Sequence, residues 1–248
     1  ESGDLRETLR AARGELALFA RDVPSLIGAD AAAPAHALEL SGGLDERGVT
    51  LTSGALRTLG GSVWIERGAV EWAGAPGSEL ADALLDLELR TEFSDLAQLG
   101  AVLGERQWSG SCLGQVSVSG PARSPTGVLD LVGERVVIGS LELGDVETLL
   151  RLESGRLDVE RLRSAGALGE LEATAEVDLG AGEILAASLR CATADVAGFA
   201  RAVGATAIAE RLAGGALEIQ ASGSGALGDP DGSLELRASG ATIDGFTL

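Results

Sequence analysis

The segment LDLELRTEF, residues 85–93, decides the fold because its apolar and polar side chains alternate one by one. Leu87 and Leu89 stand at odd positions, and the acidic residues Asp86 and Glu88 stand beside them at even positions. Successive side chains of a β-strand point to opposite faces of a sheet. This period of two therefore predicts a strand with one dry face and one wet face.

The same alternation returns along the rest of the chain. It is longest in LEATAEVDL, residues 171–179, and shorter versions occur at residues 49–51, 116–118, 217–219 and 234–236. Antiparallel sheets commonly pack one face and leave the other to water, which produces this pattern. Most of the chain after residue 35 is therefore predicted to be antiparallel sheet with one apolar face.

Two segments interrupt the alternation and are predicted to contain short helices. They are residues 94–104 and residues 194–212, and each follows directly on an alternating strand. Asp95 and Asp195 stand where a side chain would cap the first turn of each helix. The equivalent order around the two segments suggests that the chain contains a repeat.

Five positions recur at a constant distance of 105 residues, which supports an internal duplication. They combine turn glycines and prolines with strand leucines, and the pairs are Gly120 and Gly225, Pro125 and Pro230, Gly127 and Gly232, Leu129 and Leu234, and Leu131 and Leu236. A strand, a capped helix, a strand, a Gly-Pro-Gly turn and another strand would thus occur twice in the same order.

Charge and cysteine content exclude several classes of partner and site. The 38 acidic and 19 basic residues give a formal net charge of −19, which repels phosphate backbones and makes nucleic acid an unfavourable partner. No run of ~18 consecutive apolar residues is present that would predict a membrane-spanning helix. Cys112 and Cys191 lack the short spacing of a zinc or redox motif, and Cys191 is interpreted as a small buried apolar residue.

No residue pattern in the sequence predicts a catalytic or metal site. His36 is the single histidine, and it shares its strand face with Leu38, which favours a structural role over that of a catalytic base. Carboxylate pairs such as Glu170 with Glu172 are expected on solvated faces of so acidic a chain. We therefore expect no enzyme activity, no cofactor and no metal.

The recurring phrase also resembles a known family. It reads VSVSGPARSPTGVLDLVGERVVIGSLEL at residues 116–143 and IQASGSGALGDPDGSLELRASGATIDGFTL at residues 219–248, and each copy follows a short Gly-ended helix. Together with LRLESGRLDVERLRSAGALGELEATAEVDLG at residues 150–180, this is similar to the AsmA-like and TamB families of bacterial envelope proteins. The resemblance covers roughly residues 85–248.

The resemblance implies a mainly β fold: an elongated, curved antiparallel sheet, a half-pipe or β-groove built from repeats, with short amphipathic helices. A loose helical pattern of apolar residues over residues 4–27, followed by the small residues of 28–34, predicts separately that residues 1–34 form a short helical segment and connector. Residues 35–140 would form a first β-groove repeat region, and residues 141–248 a second. The protein would be the periplasmic portion of an inner-membrane-anchored protein whose anchor lies outside this sequence.

The implied function is to shield phospholipid or other acyl chains in the groove for lipid transport and outer-membrane biogenesis, with envelope membrane proteins as possible partners. The residues predicted to line the groove occupy the dry positions of their strands: Leu87, Leu89, Val116, Val118, Leu171, Val177, Leu217, Ile219, Leu234 and Leu236. The alternative is a structural β-repeat stalk or adhesin that packs its own interior. These two hypotheses differ in whether the apolar faces are open or filled.

Overall fold

A computed structural model describes residues 14–21, 37–45, 47–58, 60–72, 83–98, 107–139, 141–244 and 246–247. Within them the protein is mainly β with short helices, and its main sheet is antiparallel, which confirms the predicted fold class. The strands of this sheet follow chain order. The chain divides into two compact units. The first comprises residues 1–93 and 113–128, and the second comprises residues 94–112 and 129–248.

The first unit is organised around five successive strands. They are β1 (Gly14–Arg21), β2 (Ala37–Leu44), β3 (Gly48–Thr58), β4 (Gly61–Glu71) and β5 (Leu84–Phe93). Each strand pairs antiparallel with the next along nearly its whole length. The alternation in LDLELRTEF therefore belongs to β5, as the sequence predicts.

Strand β1 corrects the helical prediction for residues 4–27. Residues 14–21 form a strand that pairs with all eight residues of β2, so this part of the predicted helical segment is wrong. Leu16 and Leu18 are spaced by two and fit a strand as well as a loose helical pattern. Pairing with β2 decides between them because tertiary contacts override weak local propensity. The other residues of the predicted segment lie outside the described ones.

The second unit contains six strands of the main sheet in full. They are β8 (Leu141–Glu153), β9 (Arg156–Gly166), β10 (Gly169–Asp178), β11 (Glu183–Thr193), β13 (Ala216–Ala226) and β14 (Asp229–Ser239). A small second sheet contains β12 (Leu212–Ala213), β15 (Thr242–Ile243) and β16 (Phe246–Thr247). Strands β6 (Trp108–Pro121) and β7 (Thr126–Ile138) each have residues in both units.

Two helices lie between β11 and β12, where the sequence predicts a single helical segment over residues 194–212. Asp195 caps the first turn of helix α1 (Val196–Ala202), because its Oδ1 accepts a hydrogen bond of 2.8 Å from the Gly198 amide. It ends before Gly204, which has a φ of 82°, and the Ala205 amide donates back to the Ala200 carbonyl. This glycine-terminated cap closes the helix.

Helix α2 (Thr206–Ala209) follows directly after that cap. Both helices contact each other and β12, and α1 buries four apolar side chains. The other predicted helical segment, residues 94–104, is helical at residues 96–98, and residues 99–104 lie outside the described ones. There the Asp95 carboxylate accepts a hydrogen bond of 2.9 Å from the Ala97 amide, as expected for a cap.

In the part of the chain that the structure describes, the main sheet buries few large side chains completely. Among the described residues, no large side chain is less than 2% exposed. The apolar residues that are buried are few, and examples are Cys112, Val136, Val146, Leu168 and Cys191. The sheet therefore leaves much of its apolar surface in partial contact with water.

Candidate apolar binding face

Cross-strand pairing in the second unit aligns apolar side chains into rows. Directly opposite residues of an antiparallel pair place their side chains on the same face of the sheet. Two such rows cross the six strands β8, β9, β10, β11, β13 and β14. The first row contains Val146, Ser164, Leu171, Cys191, Ile219 and Leu236. The second row contains Thr148, Leu162, Ala173, Leu189, Ala221 and Leu234. We call the surface formed by these rows and their neighbours the apolar face.

Two further rows extend the apolar face along the strands. They are Leu150, Val159, Ala175, Ala187, Gly223 and Gly232, followed by Leu152, Leu157, Val177, Ile184, Gly225 and Pro230. Large side chains in these rows belong to β8–β11, whereas β13 and β14 contribute glycines and Pro230. On β13 and β14 the large apolar side chains of this face are therefore confined to one part of each strand, and they are Leu217, Ile219, Leu234 and Leu236.

Most large side chains of the apolar face are half-buried, and their exposure is greatest on β14. Leu171, Leu189 and Ile219 are of intermediate exposure. Leu234 is 65% exposed and Leu236 is 58% exposed. The face therefore presents apolar surface to solvent across several adjacent strands.

Six of the ten predicted groove residues lie on this face. Leu171, Ile219 and Leu236 share the first row, Leu234 lies in the second and Val177 in the fourth. Leu217 lies opposite Thr193 and shares its face with Ile219 two residues away. That these six side chains share a surface is a property of the fold, whereas their binding of lipid remains a prediction.

A bulge in β9 explains part of what the sequence pattern missed. Strand β9 contains one extra residue, which shifts its register opposite the step from Leu149 to Leu150 in β8 and opposite the segment from Ala173 to Ala175 in β10. A bulge exchanges odd and even positions, so strict alternation loses the face there. The missed large apolar residues are Val146, Leu150, Leu152, Leu157, Val159, Leu162, Ile184 and Leu189. In β9 the available signal was a change of parity between Val159 and Leu162, whereas plain alternation was available in β8 at Val146, Leu150 and Leu152.

The four other predicted residues belong to the first unit. Leu89 lies opposite Ile65, and Leu87 lies opposite Gly68, so both leucines point to one face of β5. Val116 and Val118 lie on β6, also within this unit, and both are half-buried.

Two buried glycines show that the face of the first unit is partly filled by its own side chains. A Cβ atom on Gly54 would lie 2.7 Å from Cδ2 of Leu40 and 2.9 Å from Cδ1 of Ile65. A Cβ atom on Gly68 would lie 3.0 Å from Cδ2 of Leu87. Neighbouring apolar side chains therefore occupy the space above these glycines.

The opposite face of the second unit is polar and internally paired. Arg163 and Glu172 form an ion pair of 3.0 Å, and Arg190 pairs with Glu218 at the same distance. The pKa of Glu218 is lowered by hydrogen bonds from Gln220 and Arg190 and by the charge of that arginine. A shallow depression of about 630 Å³ includes several of these residues in its lining. Its charges are matched across strands, which favours a solvated surface.

Two polar groups lie within the first row of the apolar face. The Cys191 thiol is buried and donates a hydrogen bond of 3.3 Å to the Leu168 carbonyl, and burial raises the pKa of this thiol. The Ser164 hydroxyl is buried without a hydrogen-bond partner among the described residues. Both groups thus behave as small fillers of a largely apolar row.

The described part of the chain contains no cluster of three or more side chains suited to hold a metal ion. Nor does any helix in that part have the length and apolar character needed to span a membrane. The predicted structural histidine, His36, lies outside the described residues.

No protein-family model matches the chain, and no curated protein or solved structure matches it either. The resemblance to AsmA-like and TamB proteins therefore stays a prediction.

Proposed function

We propose that this protein shields lipid acyl chains on the apolar face, as part of an AsmA/TamB-like cell-envelope protein in phospholipid transport and outer-membrane biogenesis. The observation that supports the proposal is the alignment of apolar side chains into rows across six strands, with their outer surface half exposed. Large contiguous apolar surfaces commonly mark binding sites.

The dimensions of the rows suit an acyl chain. Neighbouring strands lie ~4.8 Å apart, so a row across six strands measures roughly 24 Å. One acyl chain spans about half of a hydrocarbon core that is ~30 Å thick. At about 25 cal/mol per Å² of apolar surface removed from water, an acyl chain laid along a row would gain several kcal/mol.

The proposed binding mode needs no single polar site. Because the apolar gain is distributed along the rows, selectivity among acyl chains would be weak, and headgroups would remain near solvent. The periplasm is the proposed location, with envelope membrane proteins as partners. No step of this function requires a catalytic residue, a cofactor or a metal ion.

A second candidate, the self-packed stalk or adhesin, is favoured by the first unit. There the side chains of Leu40, Ile65 and Leu87 close over buried glycines. A sheet that fills its own concavities in this way has less room for a ligand. The two candidates therefore make opposite predictions for charge placed on the apolar face.

The deciding experiment uses two adjacent residues of β11. Leu189 belongs to the apolar face, whereas Ser188 lies on the polar face, where its hydroxyl is 2.8 Å from that of Thr174. We expect Leu189→Glu to reduce photo-crosslinking of a fatty-acid probe severalfold, because a carboxylate on the face must stay hydrated. Ser188→Glu adds the same charge and should leave crosslinking unchanged.

Circular dichroism of both variants separates loss of binding from loss of folding. Equal crosslinking of the two folded variants would reject lipid binding at this face. Unfolding of Leu189→Glu alone would identify the face as closed core and support the stalk.

A further inference from the structure

One arginine that lines the shallow depression on the polar face of the second unit has no acidic partner within the described part of the chain. Strands β8, β9, β10, β11, β13 and β14 contain six arginines. Five of them form ion pairs, and these are Arg151, Arg156, Arg163, Arg190 and Arg237. The sixth is Arg161, which stays unpaired in a chain where acidic residues outnumber basic ones by 38 to 19.

Arg161 is also the least exposed of these six arginines. It is half-buried, whereas the side chains of the five paired arginines are 55% to 65% exposed. Its Nε atom is buried without a hydrogen-bond partner among the described residues. A charged group that is drawn away from water without a partner costs free energy. An anion bound to this guanidinium would supply the missing partner.

The bulge in β9 places Arg161 beside the next strand of the polar face. Two residues, Glu160 and Arg161, stand opposite the single residue Thr174 of β10. Bulges often re-aim a side chain beside a functional site. Arg161 thus stands at one end of the row of polar side chains that begins with Thr174.

This row consists of hydroxyl groups on four adjacent strands. Its members are Thr174, Ser188, Ser222 and Ser233, each paired with the next and all exposed. The hydroxyl oxygens of Thr174 and Ser188 are 2.8 Å apart, and those of Ser222 and Ser233 are 2.9 Å apart. Each of these two pairs keeps one donor hydrogen and several acceptor lone pairs for a ligand. With neighbouring strands ~4.8 Å apart, the row from Arg161 to Ser233 spans roughly 19 Å.

The other charges that line the depression already have partners. The ion pairs are Arg163 with Glu172, Arg190 with Glu218, Arg151 with Glu160, and Arg237 with Glu235. The depression therefore offers a single unmatched positive charge, at Arg161. A ligand with several negative charges would be repelled by the carboxylates of Glu172 and Glu235. The volume of about 630 Å³ lies within the range of about 300–1,000 Å³ that is usual for small-ligand sites.

We infer that this depression binds an oligosaccharide that ends in a single carboxylate. The Arg161 guanidinium would hold the carboxylate through two parallel hydrogen bonds. The hydroxyl row would exchange hydrogen bonds with the sugar hydroxyls along the depression. Because the site lies on the polar face, this inference is independent of acyl-chain binding on the apolar face.

Maltotetraose and maltotetraonate provide a matched pair of probes, because maltotetraonate carries a carboxylate in place of the reducing-end aldehyde. Isothermal titration calorimetry with the whole protein measures both dissociation constants. At ~0.15 M salt the Debye length is about 8 Å, so the net charge of the whole chain is largely screened. We expect maltotetraonate to bind about tenfold more tightly, because hydrogen bonds to a charged group are the stronger ones. Equal affinities for the two probes, or no binding of either, would overturn the inference.

Three variants test the roles of the guanidinium and of the hydroxyl row. Arg161→Gln removes an unpaired charge, so it should fold, lose the preference for maltotetraonate and keep its affinity for maltotetraose. Arg156→Gln is the matched control, because Arg156 lies on the same strand and is paired with Glu176. It should keep the preference. Ser222→Ala should weaken the binding of both probes severalfold.

Circular dichroism confirms that the three variants fold. A preference for maltotetraonate that survives in Arg161→Gln would overturn the assignment of the carboxylate to this guanidinium. Unchanged affinities in Ser222→Ala would overturn the role of the hydroxyl row.

Discussion

Two hydroxyl groups on the apolar face differ in their hydrogen bonding and hence in their effect on stability. The Thr148 hydroxyl donates a hydrogen bond of 3.2 Å to the Arg161 carbonyl. The Ser164 hydroxyl, which lies in the neighbouring row, is buried without a partner in the described part of the chain. An unpaired buried hydroxyl costs about 1–3 kcal/mol, whereas a satisfied one contributes about 1 kcal/mol.

We expect Ser164→Ala to raise the free energy of unfolding by about 1 kcal/mol, because it removes an unsatisfied polar group from an apolar row. Thr148→Val should lower the free energy of unfolding by a similar amount, because it removes the hydrogen bond to the Arg161 carbonyl. Urea titrations followed by circular dichroism measure both changes. A less stable Ser164→Ala protein would show that this hydroxyl has a partner in solution.

At the scale of elements, the hairpins of the repeat depend on glycines at defined points. Gly215 has a φ of 84°, and a Cβ atom there would lie 2.5 Å from the backbone nitrogen of Ala241. Gly110 lies in β6, 105 positions before Gly215; it has a φ of 106°, and a Cβ atom there would lie 2.6 Å from the Arg135 carbonyl oxygen. Both positions therefore need a residue without a side chain.

Gly215→Ala should lower the free energy of unfolding by about 1–2 kcal/mol from the left-handed conformation alone, and the backbone contact adds to this cost. Gly228 provides the matched control, because a Cβ atom there would meet no atom within 4 Å. Gly228→Ala should be neutral or slightly stabilising. Equal urea midpoints for the two variants would contradict the requirement for glycine at position 215.

At the scale of the whole molecule, net charge acts on any lipid that approaches. The formal charge of −19 creates a field that repels anionic membranes, while the apolar face would attract acyl chains regardless of headgroup charge. Headgroup charge should therefore affect the rate of lipid uptake more than the amount bound.

We expect uptake of an acyl probe from anionic vesicles to accelerate as salt is raised from ~0.01 M to ~0.15 M, because the Debye length falls from about 30 Å to about 8 Å. Uptake from zwitterionic vesicles should hardly respond to salt. Stopped-flow fluorescence of a pyrene-labelled lipid measures both rates. Identical salt dependence for the two kinds of vesicle would contradict the proposed role of net charge.

Local alternation by itself determined that the chain is mainly antiparallel β and which side of β5, β10 and β13 is apolar. It did so because side-chain direction in a strand depends only on whether a position is odd or even. The cap residues Asp95 and Asp195 were also predictable, since capping is a contact between near neighbours in sequence.

Tertiary structure alone decided which residues stand opposite one another. The bulge in β9 exchanges odd and even positions, so Leu162 joins the row of Leu189 although alternation from Val159 would exclude it. Strand β1 pairs along its whole length with β2, a contact that its own residue pattern does not specify. Cross-strand hydrogen bonds join residues far apart in sequence, and no local pattern of side chains specifies their register when bulges intervene.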